Sequence, residues 1–204
     1  MTDQYLDKYE GSEFEPYVTA IGKFALAWNE LQYNLCELFS IVTLERRPMA
    51  GDMVNRVPTR IWYSIKSDRS QRDMLEAAVI NSRLSEGNDL AKSGKWLCDK
   101  VGELENRRND ILHSPLILYH KGTSSRAIIP NTFSGNPRAK SLAGTDNLLD
   151  EFRSACQNAI LLSDYAQGLV SALLNSRSPW PNKPSLQGRR PKGKTAGQTP
   201  ASHK

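Results

Sequence analysis

Long apolar runs are missing from this chain. No stretch approaches the ~18 residues that a membrane span needs. Residues 1–15 are acidic and polar, with neither the positive n-region nor the apolar h-region of a secretory signal. The expectation is a cytoplasmic protein with no membrane partner. Cysteine is scarce: Cys36, Cys98 and Cys156 are the whole set, far apart and each inside a helical pattern. They read as small buried hydrophobes in a reducing compartment, not as a disulfide framework. No CxxC or HxxxH pair is present, so no metal and no cofactor is expected. Acidic residues are absent from residue 177 onward, where seven Lys/Arg fall. Residues 1–176 hold 20 basic and 22 acidic side chains, a net of −2. The formal +5 therefore belongs to the tail, and the body has no global charge excess for nucleic acid.

What is present is helical periodicity. From Pro16 to about Leu44, the residues Val18, Ile21, Ala25, Trp28, Leu31, Leu35, Leu38, Phe39 and Val42 recur at three and four. Arg46 to Asp52, with Pro48 and Gly51, reads as a loop. Pro58 opens a short helix with Ile61, Trp62 and Ile65 on one side. A second piece, from about Ser70 to Leu84, groups Leu75, Ala78 and Val79, and Gly87-Asn88 breaks the pattern. A long helix follows from about Asp89 to His113, ended by Pro115, because the residue before a proline avoids the α region. Leu116–His120 and Arg126–Ile129 suit a small hairpin. Pro130 to Gly144, rich in Gly, Pro, Ser and Asn, reads as a long loop. Asn147 to about Leu174 is the last helix, with Thr145 or Asp146 as candidate caps. Its face includes Phe152, Cys156, Ile160, Tyr165 and Leu169.

The implied architecture is all-α: a bundle of four to five helices with one hairpin-like excursion. The domain reading is a polar segment over 1–15, a helical-bundle domain over 16–175, and a disordered basic Pro/Gly-rich tail over 176–204. Within that tail, Trp180 between two prolines suits docking on a partner or back on the body. The cluster from Arg189 to Lys194 is either a solvated tail or an electrostatic hold on RNA.

The most informative stretch runs from Glu105 to Pro115. Along the long helix, Leu97, Val101, Leu104, Arg108 and Ile111 alternate spacings of four and three, so Arg108 falls on the apolar stripe. A charge there is costly unless it has a task or a partner. Asn109 and His113 are four apart and share a face. Arg108 and His113 are offset by about 140° around the helix, so only the length of the arginine arm brings them to a common pocket. The last turn of a helix favours a cation, which suits an imidazole that exchanges protons. Arginine offers a fork of donors for a phosphate or a phosphorane. These are parts for cleaving RNA without a metal: a base for the 2′-OH, an acid for the leaving oxygen and a cation for the developing charge.

Arg108-Asn109-Asp110-Ile111-Leu112-His113 resembles the R-x4-6-H motif of the HEPN superfamily (higher eukaryotes and prokaryotes nucleotide-binding). The polar residue after the arginine is matched by Asn109. The resemblance implies a helical bundle, usually a homodimer, in which two copies of the motif meet to form one composite ribonuclease site. It implies Arg108 and His113 as the catalytic pair, Asn109 in support, RNA as substrate, and a toxin–antitoxin, abortive-infection or antiviral-defence setting with a protein antitoxin or regulator. Pro115 stands where nucleotidyltransferase-linked members carry tyrosine, which sets the chain apart from that subgroup. Acidic residues accompany many such sites, and Glu30, Glu103 and Glu105 are the candidates. The opposing reading is a catalytically silent bundle module that binds a protein or nucleotide, with Arg108 in an ion pair and His113 as a helix cap.

Overall fold

The computed structural model describes residues 13–43, 56–86, 89–121, 125–175 and 177–189. The loop expected over 46–52, the break at Gly87-Asn88 and most of the 1–15 segment lie outside them. Six α-helices and one antiparallel hairpin follow in order among the described residues: α1 (Glu15–Val42), α2 (Arg56–Ser64), α3 (Asp68–Asn81), α4 (Leu90–His113), β1 (Leu116–Lys121), β2 (Ser125–Pro130), α5 (Pro137–Ala143) and α6 (Leu148–Leu174). The protein is mostly helical with a small two-stranded sheet, as the periodicity implies. Among the described residues, no helix is long and apolar enough to cross a membrane.

The core lies between α1, α4 and α6, with α3 closing one side. Phe24, Leu31, Leu35 and Leu38 of α1 are fully buried, as are Leu97 and Val101 of α4 and Phe152, Leu162 and Leu169 of α6. Ala155, Ala159 and Ala166 give α6 a narrow buried stripe, which lets α1 lie close along it. One polar pair crosses that interface: Asn34 Nδ2 donates to Ser163 Oγ at 2.8 Å, with both residues buried. Trp62 is the anchor of α2, tilted against Phe39 at 5.7 Å between ring centroids. Gln71 of α3 donates to the carbonyls of Trp62 and Ile65, so the buried amide closes the end of α2. Gly94 sets the approach of α4 to α3, because a Cβ there would sit 2.6 Å from Val79 Cγ2.

Several expectations need correction. Val18 and Ile160, on the apolar stripes read from the sequence, and Ile61, grouped there with the buried Trp62, are exposed. The cap of α6 is Asn147, whose side chain accepts from the Leu149 and Asp150 N–H groups, rather than Thr145 or Asp146. The stretch 130–144 is not a loop. It holds a 3-10 turn over Thr132–Ser134 and the helix α5, which opens with Asn136 as cap and Pro137 in its first turn. Ala139 and Leu142 bury this helix against the bundle.

Of the tail expected over 176–204, residues 190–204 lie outside the described residues. Residues 177–189 form an extended strap across α4 and α6. Trp180 Nε1 donates to Ser93 Oγ at 3.2 Å. Pro181 lies on Gly168, where a Cβ would be 2.8 Å from the proline ring. Lys183 Nζ stands 5.5 Å from the Trp96 ring centroid, and Leu186 packs on the core. Asn158 reads the strap on both sides: Nδ2 donates to the Gln187 carbonyl at 2.8 Å, and Oδ1 accepts from its N–H at 2.9 Å. A Pro-rich segment has little conformational entropy to lose, and the backbone groups near its end find partners in the groove.

Candidate functional site

The last two turns of α4 carry the motif, and its side chains go two ways. Successive helical residues are about 100° apart, so Arg107 and Arg108 meet different neighbours. Arg107 turns to α6 and the strap. Its Nε and Nη2 grip Glu151 at 2.9 and 3.1 Å, Nη2 also donates to Ser154 Oγ, and Nη1 donates to the Gln187 carbonyl at 2.8 Å. Glu151 is 4 % exposed and accepts a second cation, Arg189 Nε of the strap, at 3.0 Å. Asp110, one turn after Arg107, accepts from Arg189 Nη2 at 3.0 Å and from Ser141 Oγ of α5 at 2.8 Å. Two arginines and two carboxylates thus balance their charges in one hydrogen-bonded knot, which pins α4, α5, α6 and the strap together.

Arg108 goes the other way, to α1 and α3, and is only loosely held. Its guanidinium carbon lies 5.5 Å from the Trp28 ring centroid. Nη1 is 3.7 Å from Asp68 Oδ2, beyond hydrogen-bond length, with both side chains about a quarter exposed (27 % and 26 %). Nη1 donates to Asn109 Oδ1 at 2.9 Å. Its Nε is buried and has no hydrogen-bond partner among the described residues. The stripe position read from the sequence is therefore a boundary position, between core and surface.

His113 is exposed in the final turn of α4. Its carbonyl accepts from Asn136 Nδ2 at 3.4 Å, and Ser114 leaves the helix in an extended conformation before Pro115. Among the described residues, no hydrogen bond joins the His113 side chain to Arg108 or Asn109. Clefts of 440 and 410 Å³ flank the end of the strap, the first beside Asp150 and Gln157 and the second beside Trp96 and Lys100. Neither is lined by Arg108, Asn109 or His113. The structure brings Arg108 and Asn109 together and leaves His113 apart from them.

Of the acidic candidates, Glu105 pairs with the buried Arg72 of α3, so it braces α3 on α4. Glu103 pairs with Lys100 on the surface of the helix. Glu30 is exposed on α1. Among the described residues, no cluster of three or more His, Cys, Asp or Glu forms a metal-binding arrangement. Burial pushes the Cys98 thiol up to about 12 and raises Cys36 and Cys156 as well. None of the three is a ready nucleophile.

The knot around Glu151 was not read from the sequence. A glutamate next to the stripe residues Leu148 and Phe152 was the available signal, since Lys, Glu, Arg and Asp are almost never buried unless paired. Comparison with protein-family models, curated proteins and solved structures gives no match for this chain.

Proposed function

We propose that this protein is a metal-independent endoribonuclease of the HEPN type, serving a prokaryotic conflict or stress system as a toxin or abortive-infection effector. The observation that carries the reading is the contrast between neighbouring arginines. Arg107 donates four hydrogen bonds, with each of its three nitrogens engaged, to Glu151, Ser154 and Gln187. Among the described residues, Arg108 keeps a buried Nε without a hydrogen-bond partner, donates to Asn109 and has one distant carboxylate. A guanidinium kept at a boundary position with spare donors is suited to an anion that arrives from outside.

In this reading the RNA 2′-OH attacks the adjacent phosphorus. The new O2′–P bond forms as the P–O5′ bond breaks, leaving a 2′,3′-cyclic phosphate and a 5′-OH. His113 takes the proton from the 2′-OH or gives one to the departing O5′, and the motif of a second protomer supplies the complementary partner. Arg108 neutralises the phosphorane, and Asn109 holds Arg108 through its Oδ1. The separation of His113 from Arg108 within one chain fits a site completed by a homodimer.

The same separation favours the second reading, a silent bundle module that binds a protein partner or nucleotide. The experiment that divides the two is incubation of the full-length protein with RNA in the presence of a chelator, followed by end-group analysis. Fragments ending in 2′,3′-cyclic phosphate support the ribonuclease. Intact RNA over a wide range of enzyme and substrate supports the module.

A further inference from the structure

Residues 116–145 contain Lys121, Arg126, Arg138 and Lys140 and no Asp or Glu. The surrounding body leans the other way, since residues 1–176 as a whole carry a net charge of −2. This acid-free stretch is one structural unit: the β1–β2 hairpin, the 3-10 turn at Thr132–Ser134 and α5. It is fastened to the end of α4 at three points. The Asn131 N–H donates to the Pro115 carbonyl at 2.7 Å, Asn136 Nδ2 to the His113 carbonyl at 3.4 Å, and Ser141 Oγ to Asp110 at 2.8 Å. The carboxylate of Asp110 is already taken by Arg189, and Arg126 is shared with Glu13 at 3.3 Å while remaining 59 % exposed.

The same unit presents Phe133, which is 83 % exposed. The backbone beneath it is held. The Phe133 N–H donates to Asn131 Oδ1 at 3.2 Å, and Gly135, in the left-handed region at φ 71°, donates its N–H to the Thr132 carbonyl at 3.2 Å. Phe133 is two residues from Asn131, at most about 7 Å of chain, and Asn131 is itself bonded to the residue two after His113. An isolated exposed aromatic is ordinary. An aromatic on a braced turn, within a positively charged unit that is bonded to the carbonyls of His113 and Pro115, is a platform of the kind on which unpaired bases stack.

We infer that the 116–145 unit is the surface that grips single-stranded RNA, with Phe133 stacking on a base next to the scissile phosphate and Arg138 and Lys140 tracking the backbone. This rests on the ribonuclease reading and names how that site takes its substrate. A single-stranded segment is the occupant because a base offers its π-face only when unpaired, and because the unit offers cations and an aromatic rather than an apolar groove for a peptide.

The test is binding of a short, fluorescein-labelled 2′-O-methyl oligonucleotide to the full chain, followed by anisotropy against salt. The methyl group blocks the attacking oxygen, so binding is read without cleavage. Phe133→Ala should weaken binding about five- to one-hundred-fold, the range that one stacked base supplies, with an unchanged salt slope. Phe133→Trp should restore it. Arg138→Gln with Lys140→Gln should flatten the slope by about 1.4, from roughly 0.7 per phosphate on a single strand. Equal binding by wild type and Phe133→Ala overturns the inference, even if the protein cleaves RNA. No binding by wild type at low salt also overturns it and leaves Phe133 to a protein contact. Binding that depends on Phe133, in a protein that cleaves nothing, upholds the single-strand grip while the ribonuclease reading, and with it the place of Phe133 beside a scissile phosphate, falls.

Discussion

Replacing each of the two adjacent arginines by methionine should give opposite results. Arg107→Met removes a cation whose side chain is 12 % exposed from a glutamate whose side chain is 2 % exposed. Glu151 then keeps only Arg189, and the Gln187 carbonyl and Ser154 each lose a donor. Breaking a buried pair typically costs about 3–5 kcal/mol. For a chain of this length each kcal/mol moves the melting point by about 2–4 °C, so the loss should be roughly 6–20 °C. Arg108→Met removes a 3.7 Å pair between groups about a quarter exposed, worth about 0–1 kcal/mol, and a cation–π contact over Trp28 worth about 0.5–1. It also removes a buried Nε without a partner, whose burial costs about 1–3. These terms nearly cancel, so the melting point should stay within about 3 °C of wild type. Thermal unfolding followed by circular dichroism reads both. An Arg108→Met that melts as low as Arg107→Met would refute the division of roles, because Arg108 would then be structural.

Two further outcomes follow from the strap and the buried thiol. Truncation after Asn175 removes Trp180, Leu186 and Arg189 from their sites and should lower the melting point by about 10 °C or more, whereas truncation after Arg189 should leave it nearly unchanged; equal melting of both shortened chains with wild type would show that the strap contributes nothing. Cys98 has its ionisation raised by burial from 9.0 to about 12, so its stabilising contribution is complete below pH 9 and falls as pH rises from there towards 12. Native protein at pH 8 should therefore leave Cys98 unalkylated by iodoacetamide while urea-unfolded protein reacts, and rapid native labelling would contradict the burial.

The long helices were legible because each buries a stripe over six or more turns, and 3.6-residue periodicity survives a few exceptions such as Val18 and Ile160. Helix α5 was not, because seven residues with only Ala139 and Leu142 inside make less than a stripe. Its signals were local instead: Asn136 as cap, Pro137 after it and Gly144 at the end. The strap was illegible for a different reason. Its order comes from a groove made by helices far away in sequence, and its own composition reads as unstructured. The motif shows the same limit. Periodicity placed Arg108 on the inner side of α4, but which arginine is satisfied depends on Glu151, 44 residues away, and on Arg189 in the strap. Sequence spacing carries angular position; it does not carry partners.

The central claim, that Arg108 and His113 form a ribonuclease pair rather than a brace, is tested most directly by comparing RNA cleavage at matched stability. Wild type, Arg108→Met and His113→Ala are purified, their melting curves are recorded, and the rate of fragment formation is measured for each. The account predicts 2′,3′-cyclic phosphate ends from wild type, no detectable cleavage by either variant, and melting points of both variants within a few degrees of wild type. Undiminished cleavage by His113→Ala, or loss of activity accompanied by collapse of the fold, would contradict it.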